Sequence, residues 1–196
     1  FHPAPYSIAK YYSPEMEKLL IGLNGSNRFH AVHVDHLHMA HYQRCFDGVP
    51  QVLDEHNVEY KIMERCIPVE KSIFKKWIFR NQAEKMKQFE ADRIKEFSGC
   101  FGVSEDDKEL LKKLGQGEVP VYVVPNGVDT EVFKSPVSKE DGRGTRDDSL
   151  VFTGSMDWLP NEDAVLYFCK EMLPVIWREK PKVKFFVVGK EPGAAI

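Results

Sequence analysis

Residues 124–133 read VPNGVDTEVF. An apolar run, Val121–Val124, leads into Pro125-Asn126-Gly127. Proline presets φ and glycine tolerates positive φ, so the run is a strand closed by a turn at which Gly127 permits φ above zero. Beyond it, Ser135–Asp148 reads SPVSKEDGRGTRDD, polar and rich in turn formers, and is expected to be a linker. A strand that stops in a tight turn before a linker marks the end of one folded unit.

Upstream of that turn, short apolar runs alternate with helical patterns. Ser13-Pro14 opens a helix over Glu15–Gly22, broken by Gly25-Ser26-Asn27. Strands are expected at Phe29–Val34, Val49–Asp54 and Gly99–Val103. Between the last two, Phe74, Trp77, Ile78, Met86, Phe89 and Phe97 recur at helical spacing and predict a basic amphipathic helix over Ser72–Phe97. Ser104 and Asp107 have the form of a capping box for a helix Glu105–Leu114, which Gly115 stops. Downstream, a strand at Leu150–Thr153 precedes a helix from about Asn161. Its inward positions are Val165, Leu166, Phe168, Cys169 and Met172, Pro174 kinks or splits it, and a strand follows at Val183–Val188.

Strands alternating with helices imply an α/β fold with parallel, doubly wound sheets. The expected organisation is residues 1–134 as one such domain, 135–148 as linker and 149–196 as the start of a second. The second holds too few residues to bury a core alone. FHPAPYSIAK lacks an initiator Met, a basic start and an apolar core, and reads as mid-domain sequence. The chain is therefore expected to be an internal piece of two incomplete domains, inactive by itself.

Bulk properties narrow the class. A net charge of −3 over 196 residues gives no general pull toward nucleic acid, and none is expected as partner. No apolar run is long enough to span a membrane. The four cysteines, Cys45, Cys66, Cys100 and Cys169, include no CxxC pair, which points to a reducing, cytoplasmic setting.

Five segments carry a resemblance. PNGVDTEVF before a linker resembles the signature turn of the family-four glycosyltransferases of GT-B fold. ADRIKEFSGCFGVS (91–104) resembles the helix and strand before that turn, HVDHLHMA (33–40) and VLDEHN (52–57) resemble strands with active-site loops, and LVFTGSMDWLPNED (150–163) resembles the first strand and donor loop of the second domain. Within the family, MDWLPNEDA is similar to sugar transferases found beside bacterial exopolysaccharide export clusters. The resemblance implies two Rossmann-like domains: the first holds a glycan or lipid-linked acceptor, the second a nucleotide-diphosphate sugar. It implies transfer with retention and no required metal, because amides and basic side chains stabilise the leaving diphosphate. The family's Gly-rich first strand and its late pair of glutamates are not found in this sequence.

Ligands of such sheets bind beyond the carboxyl ends of the strands. His56 matches the family's histidine near the transferred sugar, and Glu55 is a conceivable base beside it. Gly154, Ser155 and Asn161, with Gly189 and Lys190, are the expected donor side, although Ser155 and Asn161 stand where relatives carry a base. His33, Asp35 and Ser104 are expected on the acceptor side, and Asn126, Gly127 and Asp129 at the cleft turn. His33, Asp35, His36, His38 and His41 raise the question of zinc. In a regular strand His33 and Asp35 face one side and His36 and His38 the other, so no metal site is expected.

The basic helix 72–97 suits either a solvated surface or peripheral membrane contact at the inner face, with the exposure of Trp77 deciding. Alternatives are a nucleotide-sugar epimerase of the same architecture, needing carboxylates such as Glu55 and Asp35, and a non-catalytic binding or assembly domain. Exposed sheet edges would allow a fragment to dimerise.

Overall fold

Four short strands, β1 (Val32–Asp35), β2 (Gln51–Glu55), β3 (Gly99–Gly102) and β4 (Val121–Val123), form a wholly parallel sheet in the order β1-β2-β3-β4. The computed structural model describes residues 4–133, 149–193 and 196. The expected linker, 135–148, lies outside the described residues. The chain divides into two units, Phe1–Gly127 and Val128–Ile196.

In the first unit the connections are a 3-10 helix (Leu37–Phe46) between β1 and β2, then α3 (Glu59–Val69) and α4 (Ile73–Ile94) between β2 and β3. Next comes α5 (Glu105–Leu114), between β3 and β4, and α1 (Tyr6–Lys10) and α2 (Pro14–Ser26) precede the sheet. Parallel neighbours need crossovers, and these are right-handed. With strands placed in sequence order, the crossovers fall on one side. There Leu37, Ala40, Met86, Ile94 and Leu111 bury themselves against Val34, Leu53, Cys100 and Val121. This is the expected Rossmann-like, mixed α/β arrangement.

Strand alternation divides the sheet. Val34, Leu53, Cys100 and Val121 share one register row on the buried face. Asp35, Asp54, Phe101 and Tyr122 share the neighbouring row on the opposite, more open face.

Several expected boundaries shift. α2 runs through Gly25 to Ser26 and the chain turns only at Asn27; at the other end the Ser13 hydroxyl caps the helix by accepting from Met16 N–H. β1 begins at Val32 rather than Phe29. The 3-10 helix and α3 have no counterpart in the sequence reading. α5 keeps its expected limits, with the Ser104 hydroxyl accepting from Asp107 N–H at 3.1 Å.

The second unit holds β5 (Ser149–Thr153), α6 (Leu159–Tyr167), a π-helical turn (Phe168–Met172), α7 (Leu173–Glu179) and β6 (Lys184–Val188). β5 and β6 pair in parallel. Pro174, in the first turn of α7, follows the π turn, so the helix does split where proline predicts. Val165 is buried, but Cys169 and Met172 are exposed: the π turn adds a residue and rotates them off the inward stripe, and Leu173 is buried instead.

Leu53, fully buried on an inner strand, tests the shared core. Leu53→Ala is expected to lower the unfolding free energy by about 2–5 kcal/mol. Val124→Ala, at an exposed side chain, is expected to stay within about 0.5 kcal/mol in the same urea titrations.

Candidate active site

β1 and β2 run side by side and end together, with Asp35 opposite Asp54. His36 follows β1 with φ of 71°, the left-handed region that non-glycine residues rarely adopt. Its N–H donates to Asp54 O at 3.0 Å, which holds that conformation. The twist swings the His36 ring back over the strand ends instead of leaving it on the opposite face. The strand-alternation argument thus fails for His36, because the residue has already left the strand.

The result is a network of five side chains. His56 Nε2–H donates to Asp35 Oδ1 at 2.7 Å, and His36 Nδ1–H donates to the same oxygen at 2.9 Å. The two rings stack with centroids 4.0 Å apart. His33 Nε2–H donates to Asp54 Oδ2 at 3.1 Å, and His56 Nε2 lies 4.0 Å from that oxygen. The hydrogen bonds from His36 and then from His56 hold the Asp35 carboxyl below its ordinary range. His33, Asp35 and His56, singled out from the sequence, therefore meet in space. Asp54 and His36 were missed as partners. The signal for Asp54 was available: in VLDEHN, alternation puts Leu53 and Glu55 on one face and Asp54 on the other.

The same alternation corrects Glu55. Its side chain is 1% exposed, on the core face, away from the His56 network. Neither carboxylate oxygen has a hydrogen-bond partner. Burial, and next the nearby Glu90 carboxylate, raise its affinity for a proton well above the carboxylate range. Glu90, from α4, accepts N–H bonds from Glu59 at 3.0 Å and Tyr60 at 3.2 Å, so it caps the start of α3. Those bonds favour the charged form, but burial outweighs them and pushes Glu90 up to about 8. Glu55 is a core acid beside the helix anchor, not a base in the site.

Ser104 is corrected similarly. Its hydroxyl accepts from Asp107 N–H and donates to Asp107 Oδ2 at 2.6 Å, which commits it to the helix cap. His38 packs edge-on to Tyr11, and His41 packs against Tyr12 and Tyr42.

At the turn, Asn126, Gly127 and Asp129 are exposed. The freedom that Gly127 offers is not used: the positive-φ glycines are Gly48 and Gly117. Asp129 Oδ1 accepts N–H bonds from Glu131 and Val132, a local Asx turn.

In the second unit, Gly154 and Gly189 end β5 and β6 side by side. A Cβ on Gly189 would lie 1.7 Å from Gly154 O, so only glycine fits there. Met156 N–H donates to Lys190 O at 3.0 Å, and Asn161 Nδ2 donates to Ser155 O at 2.9 Å. Asn161 thus closes the loop rather than standing in for a base. The Ser155 hydroxyl is bonded to Asp157, which holds that carboxyl low, while its hydrogen bond with Asp157 raises Glu191. The Lys190 side chain is exposed.

A family model described as Glycosyltransferase Family 4 matches residues 2–132, more than half of the chain. No curated protein matches it significantly.

The buried acids generate a pH prediction. Folded Glu90 keeps its proton up to about pH 8, whereas the unfolded carboxyl loses it near its ordinary value of 4.5. The folded state therefore binds the extra proton in that window, and stability falls as pH rises through it. Urea midpoints are expected to decline from pH 5 to pH 8. Glu55→Leu, which replaces an unpaired buried carboxyl, is expected to raise the pH 8 midpoint and flatten the slope.

Proposed function

The chain belongs to glycosyltransferase family 4, and on that premise we propose that it moves a hexose from a nucleoside-diphosphate sugar to a glycan or lipid-linked acceptor, with retention at the sugar carbon. The setting proposed is the cytoplasmic face of a membrane, in exopolysaccharide assembly. Residues 1–134 belong to the acceptor side and residues 149–196 to the donor side. The observation that carries this reading is the His56–Asp35 pair at the carboxyl ends of β2 and β1.

With Nε2–H donated to Asp35, a neutral His56 ring keeps Nδ1 as an acceptor. That atom receives a sugar hydroxyl and orients the sugar, while Asp35 fixes the ring. Asp54 plays the same part for His33. On the donor side, backbone amides of the Gly154–Met156 loop and the Lys190 ammonium meet the diphosphate, so transfer needs no metal. The acidic pair Asp157 and Glu191 leaves Lys190 as the cation of this loop best placed for that role. An epimerase reading loses Glu55, one of its two candidate carboxylates, to the core.

The test is nucleoside-diphosphate release by the intact protein with and without acceptor. His56→Ala is expected to lower kcat about 100-fold with little change in KM, the size of loss seen when one oriented polar contact to the transition state is removed. Turnover unchanged by His56→Ala would overturn the assignment, and product formation from donor alone would favour the epimerase.

Membrane contact is part of the same proposal. The first turns of α4 present Ile73, Phe74 and Trp77 to solvent, with Phe74 69% and Trp77 56% exposed and their rings stacked. Burial in the core begins only at Ala83 and Met86. Lys71, Lys75 and Arg80 are exposed around the aromatic pair. Aromatic side chains ringed by cations suit an anionic lipid surface. Among the described residues no helix is long and apolar enough to cross a membrane. Cosedimentation with phosphatidylglycerol vesicles is expected, falling severalfold for Phe74→Ser/Trp77→Ser and with neutral phosphatidylcholine. Self-association through the outer edges of β5 and β6, which pair only with each other among the described residues, is proposed as well.

A further inference from the structure

We propose that Asp35, His36 and His56 form a chelating site for one divalent transition-metal ion of the Zn2+ or Co2+ kind. The site does not depend on the transferase reading, and the proposal goes beyond it: an ion on His56 Nε2 would move the ring proton to Nδ1, remove the acceptor offered to the sugar hydroxyl and inhibit transfer.

The geometry begins with one oxygen. Asp35 Oδ1 sits 2.9 Å from His36 Nδ1 and 2.7 Å from His56 Nε2. One donor atom from each of the three residues lies within 4.8 Å of the others. An ion bound tetrahedrally with bonds near 2.1 Å spaces its ligand atoms about 3.4 Å apart, so the two contacts would lengthen by about 0.5–0.7 Å. The side chains have room for this: Asp35 is 66% exposed, and both rings are more than a third exposed. The stacked rings must also rotate so that both lone pairs converge on the ion. The ring protons move to the outer nitrogens, as in any metal-bound imidazole.

Asp54 strengthens the site. Its Oδ2 lies 4.0 Å from His56 Nε2 and is itself held by His33 Nε2–H at 3.1 Å. It can serve as a fourth ligand already oriented by a third histidine, His33, the arrangement that tunes metal sites. Two imidazoles with one or two carboxylates favour borderline ions over Mg2+ or Ca2+, which prefer all-oxygen shells. The uncommon φ of His36 matters here, because a relaxed strand residue would carry its ring to the other face.

Titration of the unmutated protein with Co2+ is expected to give a single saturating visible absorption band at one ion per chain, displaced by Zn2+ and untouched by excess Mg2+. His36→Gln and Asp35→Asn should each weaken binding by about tenfold or more. His38→Gln, whose ring packs against Tyr11, should bind as before. Circular dichroism verifies that the variants fold. Paramagnetic broadening of the His36 and His56 ring resonances in the unmutated protein supplies the same answer without them. The proposal is overturned by any of three results: no saturable band, a band that survives both substitutions, or the intense near-ultraviolet charge transfer of a cysteine-bound ion. All three concern binding, so they are distinguishable from a failed transfer assay.

Discussion

Leu53 and Asp54 are chain neighbours on β2 that face opposite sides of a parallel sheet, and most of the first unit follows from that alternation. Leu53 joins Val34, Cys100 and Val121 in a row that the crossover helices cover. Asp54 joins Asp35 in the next row, on the open face, where charge can remain hydrated. Parallel pairing adds the second constraint: both strands end at the same edge, so the residues just after them, His36 and His56, arrive at one place. A core and a polar site are thus two faces of the same few residues.

The core face carries its own polar feature. Glu90, on α4, anchors the start of α3, and Glu55 lies beside it with no hydrogen-bond partner. Two buried carboxyls this close resist ionising together, so the fold holds at least one as an acid. His56 and Asn57 lie between β2 and α3, the two elements these acids abut. Behind the loop that carries the site histidine, the start of α3 is held by the Glu90 bonds to Glu59 and Tyr60 N–H.

The second unit solves a tighter packing problem. Gly154 and Gly189 bring the ends of β5 and β6 into backbone contact that no side chain could enter. The loop beyond is closed by its own groups: Asn161 on Ser155 O, and Ser155 on Asp157. Both polar residues that the sequence marks for a donor diphosphate, Ser155 and Asn161, are engaged locally.

What was legible in the sequence were local features. The parallel α/β class, α5 with its Ser104 cap and Gly115 stop, the split at Pro174 and the placing of His33, Asp35 and His56 on or just after strands all rest on signals within a few residues. Helix α3 was illegible for a physical reason. It has no Ser, Thr, Asp or Asn cap of its own, and its first N–H groups are satisfied by Glu90, some thirty residues away. The partners of the site were likewise beyond reach. Asp54 meets His33 only through the β1–β2 register, and His36 meets His56 only because a long-range backbone bond holds it at positive φ. The sequence alone determined which residue types stand at the strand ends. Tertiary pairing decided which of them touch, because alternation and register assign each side chain to a face that composition does not specify.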